Sequence, residues 1–137
     1  MVITVPAPFV VEGDEYDAVY WHKQAKFLDY LAVSDSDVAI LTSDNPRSED
    51  PLVILAAMSR GADEALVARP ATELVVQPDR ALAIADAVRR AVAGGAVIVA
   101  GKGHETGQEV DGELRPFDDR VVLAEALRAR LAGAPAP

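Results

Sequence analysis

Two polar segments of the 137-residue chain hold the side chains best suited to chemistry. One reads Thr42-Ser43-Asp44-Asn45-Pro46-Arg47-Ser48-Glu49-Asp50-Pro51, the other Gly101-Lys102-Gly103-His104-Glu105-Thr106-Gly107-Gln108. Arg47 offers a planar fork that can hold a carboxylate through two hydrogen bonds. Asp44 and Glu105 can hold an ammonium, and Asn45 both donates and accepts. Gly101 and Gly103 let backbone groups approach a ligand closely. A cation, two anions and an amide at one place describe a pocket for a zwitterion, such as the head of an amino acid. The same residues also answer structural needs, since Asp-Asn-Pro is ordinary turn chemistry and Ser48 to Pro51 is ordinary helix-start chemistry. Lys102 does not belong to a phosphate-binding Walker A loop, because the Gly-x-x-x-x-Gly-Lys-Ser/Thr spacing is broken at Ala100 and His104. His104 could serve as a general base, but a single histidine in a glycine-rich loop is more often a hydrogen-bonding structural residue. His22 and His104 alone make no zinc site.

The elements that must position these loops follow from the apolar pattern. Val38-Ala39-Ile40-Leu41 is a continuous apolar run and predicts a buried strand ending at the first loop. Pro51 stands where a first helical residue would, with Asp50 or Ser48 as N-cap; Ile54, Leu55 and Met58 form its stripe and Gly61 is a plausible stop. Glu73 to Gln77 predicts a second strand. Asp79 can cap a helix over 79–93 in which Leu82, Ala85, Val88 and Val92 share one face, with Ile84 and Ala91 beside them. Arg80, Asp86, Arg89 and Arg90 then lie toward the other face, and Gly94-Gly95 ends the helix. Ala96 to Ala100 predicts a third strand, leading straight into the second loop. Val110-Asp111-Gly112-Glu113 is a hairpin turn. Asp118 or Asp119 caps a last helix lined by Leu123, Leu127 and Leu131. Strand and helix in alternation predict an α/β fold whose strand-to-helix loops open on one sheet edge, where open α/β sheets bind ligands.

Size and charge bound the rest. The chain is 14.5 kDa, the size of one domain. Its net charge is −9, so nucleic-acid backbones and anionic membrane surfaces would repel it on average. Residues 1–50 hold ten acidic and three basic side chains, so most of the acidic excess lies in the first third. Absence of cysteine excludes disulfides and thiolate chemistry. No apolar run suits a membrane helix and the first residues have no basic n-region, so a cytoplasmic protein is expected.

Four blocks carry a resemblance: residues 42–51, Pro78-Asp79-Arg80, Ala100 to Gln108, and Arg115-Pro116-Phe117-Asp118-Asp119-Arg120. In this order they resemble the C-terminal domain of the Mur ligases, most closely the members that add meso-diaminopimelate to a UDP-linked muramoyl peptide. The resemblance implies a Rossmann-like, mostly parallel sheet with helices on both faces, incomplete relative to the family domain. It implies ATP-dependent amide formation in peptidoglycan precursor synthesis, with ATP and magnesium as the family's cofactors. By resemblance Asp44, Asn45 and Arg47 contact the diaminopimelate, and Gly101 and Glu105 complete its pocket. Arginine in the Asp-Asn-Pro-Arg block points to diaminopimelate rather than lysine, because the distal carboxylate needs a cation.

Residues 8–30 are similar instead to a segment of the central ATPase domain of another Mur ligase, one that recycles murein peptides. The resemblance makes Glu12 a magnesium ligand. Read from the residues alone, Phe9 to Val11 is a strand and the acidic run a solvated loop. That loop leads to an amphipathic helix with Val19, Lys26, Phe27 and Tyr30. Near residues 31–37 a long stretch of the family, including its P-loop, has no counterpart, as in a deletion or a chimera. The expected organisation is a central-domain-like segment over 1–34, a C-terminal-like domain over 35–131 and a flexible tail over 132–137. The expected function is that of a ligase fragment retaining the amino-acid pocket without turnover of its own, the UDP-linked peptide binding only with the missing domains. A non-catalytic binding module and an inert truncated product are the alternatives.

Overall fold

The computed structural model describes residues 2–5 and 37–133. Strand β1 covers Val2–Val5 and β2 covers Val38–Leu41; helix α1 covers Pro51–Ala65 and runs into a 3-10 turn, Leu66–Ala68. Strand β3 is Glu73–Val76, helix α2 is Arg80–Arg90 and β4 is Ala96–Val99. The hairpin strands β5 (Gly107–Val110) and β6 (Glu113–Pro116) precede helix α3 (Asp119–Leu131). The main sheet has the order β3-β2-β1-β4.

The α/β class is the one read from the sequence. Strand β2 pairs in parallel with β3, while β1 lies antiparallel to both β2 and β4. Thus β2, β3 and β4 share one direction, and their carboxyl ends open on one edge. The Val2–Val5 strand filling the slot between β2 and β4 has no counterpart in the sequence reading. The strand over Phe9–Val11, the helix through Tyr30 and Glu12 lie outside the described residues.

All four residues of β2 are buried, and their alternation divides the core. Val38 and Ile40 join Ala83, Ile84 and Ala87 of α2, flanked by Val97, Val99, Phe117, Val122 and Leu123. Ala39 and Leu41 meet Leu55 and Ala62 of α1 and Leu66 on the opposite face. Helices therefore cover both sides of β2.

Three helix readings need correction. Helix α1 passes through Gly61 to Ala65, because Ala62 and Leu66 bury against β2 and reward its continuation. In α2 the expected inward residues Ile84, Ala85 and Val88 are buried, but the stripe against the sheet is Arg80, Ala83, Ile84, Ala87 and Val88, while Leu82 and Val92 are exposed and the helix ends at Arg90. That stripe has the i, i+3, i+4, i+7, i+8 spacing with an arginine in its first position. In α3, Val122 and Leu123 face the core, whereas Leu127 and Leu131 are exposed.

The caps fall where the sequence put them. Asp50 accepts from the Leu52 amide, Asp79 from Leu82 and Asp118 from Arg120. The β5–β6 turn has φ of 52° at Asp111 and 75° at Gly112, as a two-residue type I′ turn requires.

Candidate functional site

The two polar loops leave the carboxyl ends of β2 and β4. Strand β1 separates those strands, so no ladder bond joins them. Beneath the loops lies Arg80, only 2% exposed. Its Nε and Nη2 donate to the two carboxylate oxygens of Asp119, both at 2.7 Å. Nη1 also donates to the Ser43 carbonyl at 3.3 Å, and Nη2 to the Ala100 carbonyl at 3.0 Å.

Lys102 is equally buried, at 2% exposure. Its ammonium lies 2.8 Å from Asp44 Oδ1 and 3.8 Å from Glu105 Oε2. It donates to the Gly107 carbonyl at 2.8 Å and to Asn45 Oδ1 at 3.3 Å. Asn45 spans both loops: Nδ2 donates to Glu105 Oε2 at 2.8 Å, and Oδ1 accepts from the Glu109 amide at 3.0 Å. Gln108 Nε2 donates to the Asp44 carbonyl at 2.7 Å. Gly101 has φ of 108°, and a Cβ there would stand 3.7 Å from Asp44 Oδ2. The positive φ, rather than crowding, is what glycine provides there.

Arg47 has a left-handed φ of 55°, uncommon for a residue with a side chain. Two backbone bonds hold it there: its amide donates to the Glu109 carbonyl, and its carbonyl accepts from the Asp111 amide. The side chain is 75% exposed, with Nε 3.8 Å from Glu109 Oε2.

Asp44, Asn45, Gly101 and Glu105 thus converge, while Arg47 flanks them against the hairpin. His104 is exposed. The ammonium that Asp44 and Glu105 suit is supplied in part by Lys102. Their side chains still keep 41% and 53% of their surface open, enough to meet a second cation from outside. Among the described residues no three His, Cys, Asp or Glu side chains are grouped to hold a metal ion. None of the described helices is long and apolar enough to cross a membrane.

Sequence reasoning placed two residues differently. Arg80 lies not on the polar face of α2 but in phase with the buried Ala83, Ile84 and Ala87. Lys102 is no phosphate binder by spacing, and its setting among Asp44, Asn45 and Glu105 depends on a contact between distant loops, which no local spacing reveals.

Comparison with known proteins adds a relationship. The family model described as "Mur ligase, glutamate ligase domain" matches residues 13–103. The chain is 59% identical over 93 residues to the UDP-N-acetylmuramoyl-L-alanyl-D-glutamate--2,6-diaminopimelate ligase of Streptomyces coelicolor, covering 68% of this chain and 18% of that protein. It is 48% identical over 99 residues to the ligase of the same name from Solibacter usitatus, covering 71% and 19%. For Geobacillus kaustophilus the identity is 46% over 100 residues, covering 73% and 19%. The chain therefore spans under a fifth of the length of these curated relatives.

Proposed function

Since the chain belongs to the Mur ligase family, we propose that Asp44, Asn45, Arg47, Gly101 and Glu105 form the pocket for the amine substrate of an ATP-dependent amide ligase, with meso-diaminopimelate as that substrate. The observation that carries this reading is the 2.8 Å bond from Asn45 to Glu105, which joins the two loops at one edge of the sheet. The names of the relatives, which specify 2,6-diaminopimelate, support the choice of amino acid.

In this reading the Arg47 fork receives a ligand carboxylate, and the open sides of Asp44 and Glu105 receive an ammonium. Positive φ at Gly101 lets the second loop pass close to Asp44. Such residues hold and orient the amine; they do not activate the acid it attacks. ATP supplies that activation in the family, and the parts that would handle it belong to the length of the relatives this chain does not span. Orientation alone is a large part of the work in such reactions. Residues 35–131 are accordingly the acceptor domain, residues 1–34 a segment akin to the central domain, and the chain alone turns over no substrate.

Calorimetric titration tests the pocket. Wild type should bind meso-diaminopimelate at least tenfold more tightly than Arg47→Ala, while lysine, lacking the distal carboxylate, should distinguish the two variants little. Equal affinity for meso-diaminopimelate in both variants, or none in either, overturns the reading. One observation favours a non-catalytic module instead: Asn45 and Lys102 spend their polar atoms on the protein's own groups. A melting temperature insensitive to the amino acid would support that alternative.

A further inference from the structure

We infer that Arg80 is the positioning residue of the acceptor site, setting the separation of its two loops from below without touching ligand. The inference rests on the reading of the site just given. Its basis is the gap that β1 creates. Neighbouring strands lie about 4.8 Å apart, so β2 and β4, on either side of β1, are about twice that distance apart. Their carboxyl ends carry Asp44 and Gly101 outward, yet Asn45 must meet Glu105 across the gap.

Arg80 spans it. The Ser43 carbonyl, immediately before Asp44, and the Ala100 carbonyl, immediately before Gly101, both accept from one guanidinium. The plane of that guanidinium is fixed by the two-point pair with Asp119 in the first turn of α3. There the helix dipole favours the carboxylate. A planar, delocalised donor group can serve three acceptors in fixed directions; a lysine ammonium is a single point charge on a flexible stem. The arginine side chain is wholly buried and does not reach solvent.

The test is residue-resolved hydrogen exchange on the full chain with Arg80→Lys, which keeps the charge and loses the fork. The amides of Arg47, Glu105 and Glu109 are each hydrogen-bonded within the site. They should exchange at least tenfold faster in the variant, while the α1 amides from Leu55 to Ala62 stay within twofold of wild type. The Asn45 side-chain amide resonance should move toward that of a free amide. Unchanged exchange in the site, or acceleration by the same factor in α1, overturns the inference. Should Arg80→Lys not fold, Asp119→Asn carries the same comparison, since it leaves the guanidinium without its anchoring charge. The exchange pattern needs no ligand. A wild type that fails to bind meso-diaminopimelate therefore removes the proposed function while the loop amides still decide the role of Arg80.

Discussion

Lys102 keeps a charge away from water and offsets the desolvation cost with oxygens from two loops. Replacing it with methionine retains the stem but strips the Gly107 carbonyl and Asn45 Oδ1 of a donor and leaves Asp44 beside Glu105 with no cation between them. Because both carboxylates remain partly hydrated, Lys102→Met should cost about 2–3 kcal/mol rather than the larger penalty of a fully buried orphan charge. Urea unfolding would measure it; a loss below about 0.5 kcal/mol would mean that the ammonium merely occupies space. At this scale the sequence made the acids, the amide and the exposed arginine legible, because their types and their family blocks speak for themselves. The buried cations were not legible. Arg80 meets Asp119 and Lys102 meets Asp44 through the fold, and a charged residue read by type alone is assigned to solvent.

Helix starts were the most legible elements, because a cap is a contact within three residues. Asp118 shows what such a cap adds electrostatically. Hydrogen bonding from the Arg120 side chain, aided by the Arg120 and Val121 amides, lowers its pKa from 3.8 to about 2, against a smaller opposing effect of desolvation. A carboxyl that ionises more readily in the folded state stabilises it above the unfolded pKa. The contribution of Asp118 is therefore complete above about pH 4 and is lost as pH falls toward 2. An NMR titration should place the Asp118 midpoint near 2 in wild type and closer to the ordinary value in Arg120→Ala; identical midpoints would remove the pair as the cause. In the centre of α1, Leu55→Ala should lower stability by about 2–5 kcal/mol, since this side chain is 2% exposed against β2. Helix phase is less legible: hydrophobicity alone points Leu82 of α2 inward and Arg80 outward, the reverse of what is found. Packing against Val38 and Ile40 selects the small residues Ala83 and Ala87 instead, and these carry little hydrophobic signal in a sequence.

Across the whole molecule the sheet depends on β1, which the apolar pattern of the loops' strands leaves unassigned although Val2-Ile3-Thr4-Val5 is a run of four β-branched residues. It supplies backbone partners to β2 and β4 together, so Ile3→Pro, which removes a donor from an interior strand, should cost about 3 kcal/mol or more. Deleting residues 1–5 should expose two strand edges and promote association, visible by light scattering. A deletion variant that stays monodisperse and equally stable would show that the strand is dispensable. The same strand determines where attachments to the chain come to lie. Running against its neighbours, β1 begins with Val2 beside Ile40 and Val99, at the rim from which both polar loops emerge. Helix α3 starts at that rim with Asp119 and travels away from it; its far end is tied by Arg130 to the Val88 and Ala91 carbonyls. A fluorophore joined ahead of Val2 would thus report on events at the loops. An affinity handle placed beyond α3 would stand at the opposite end of that helix from the rim.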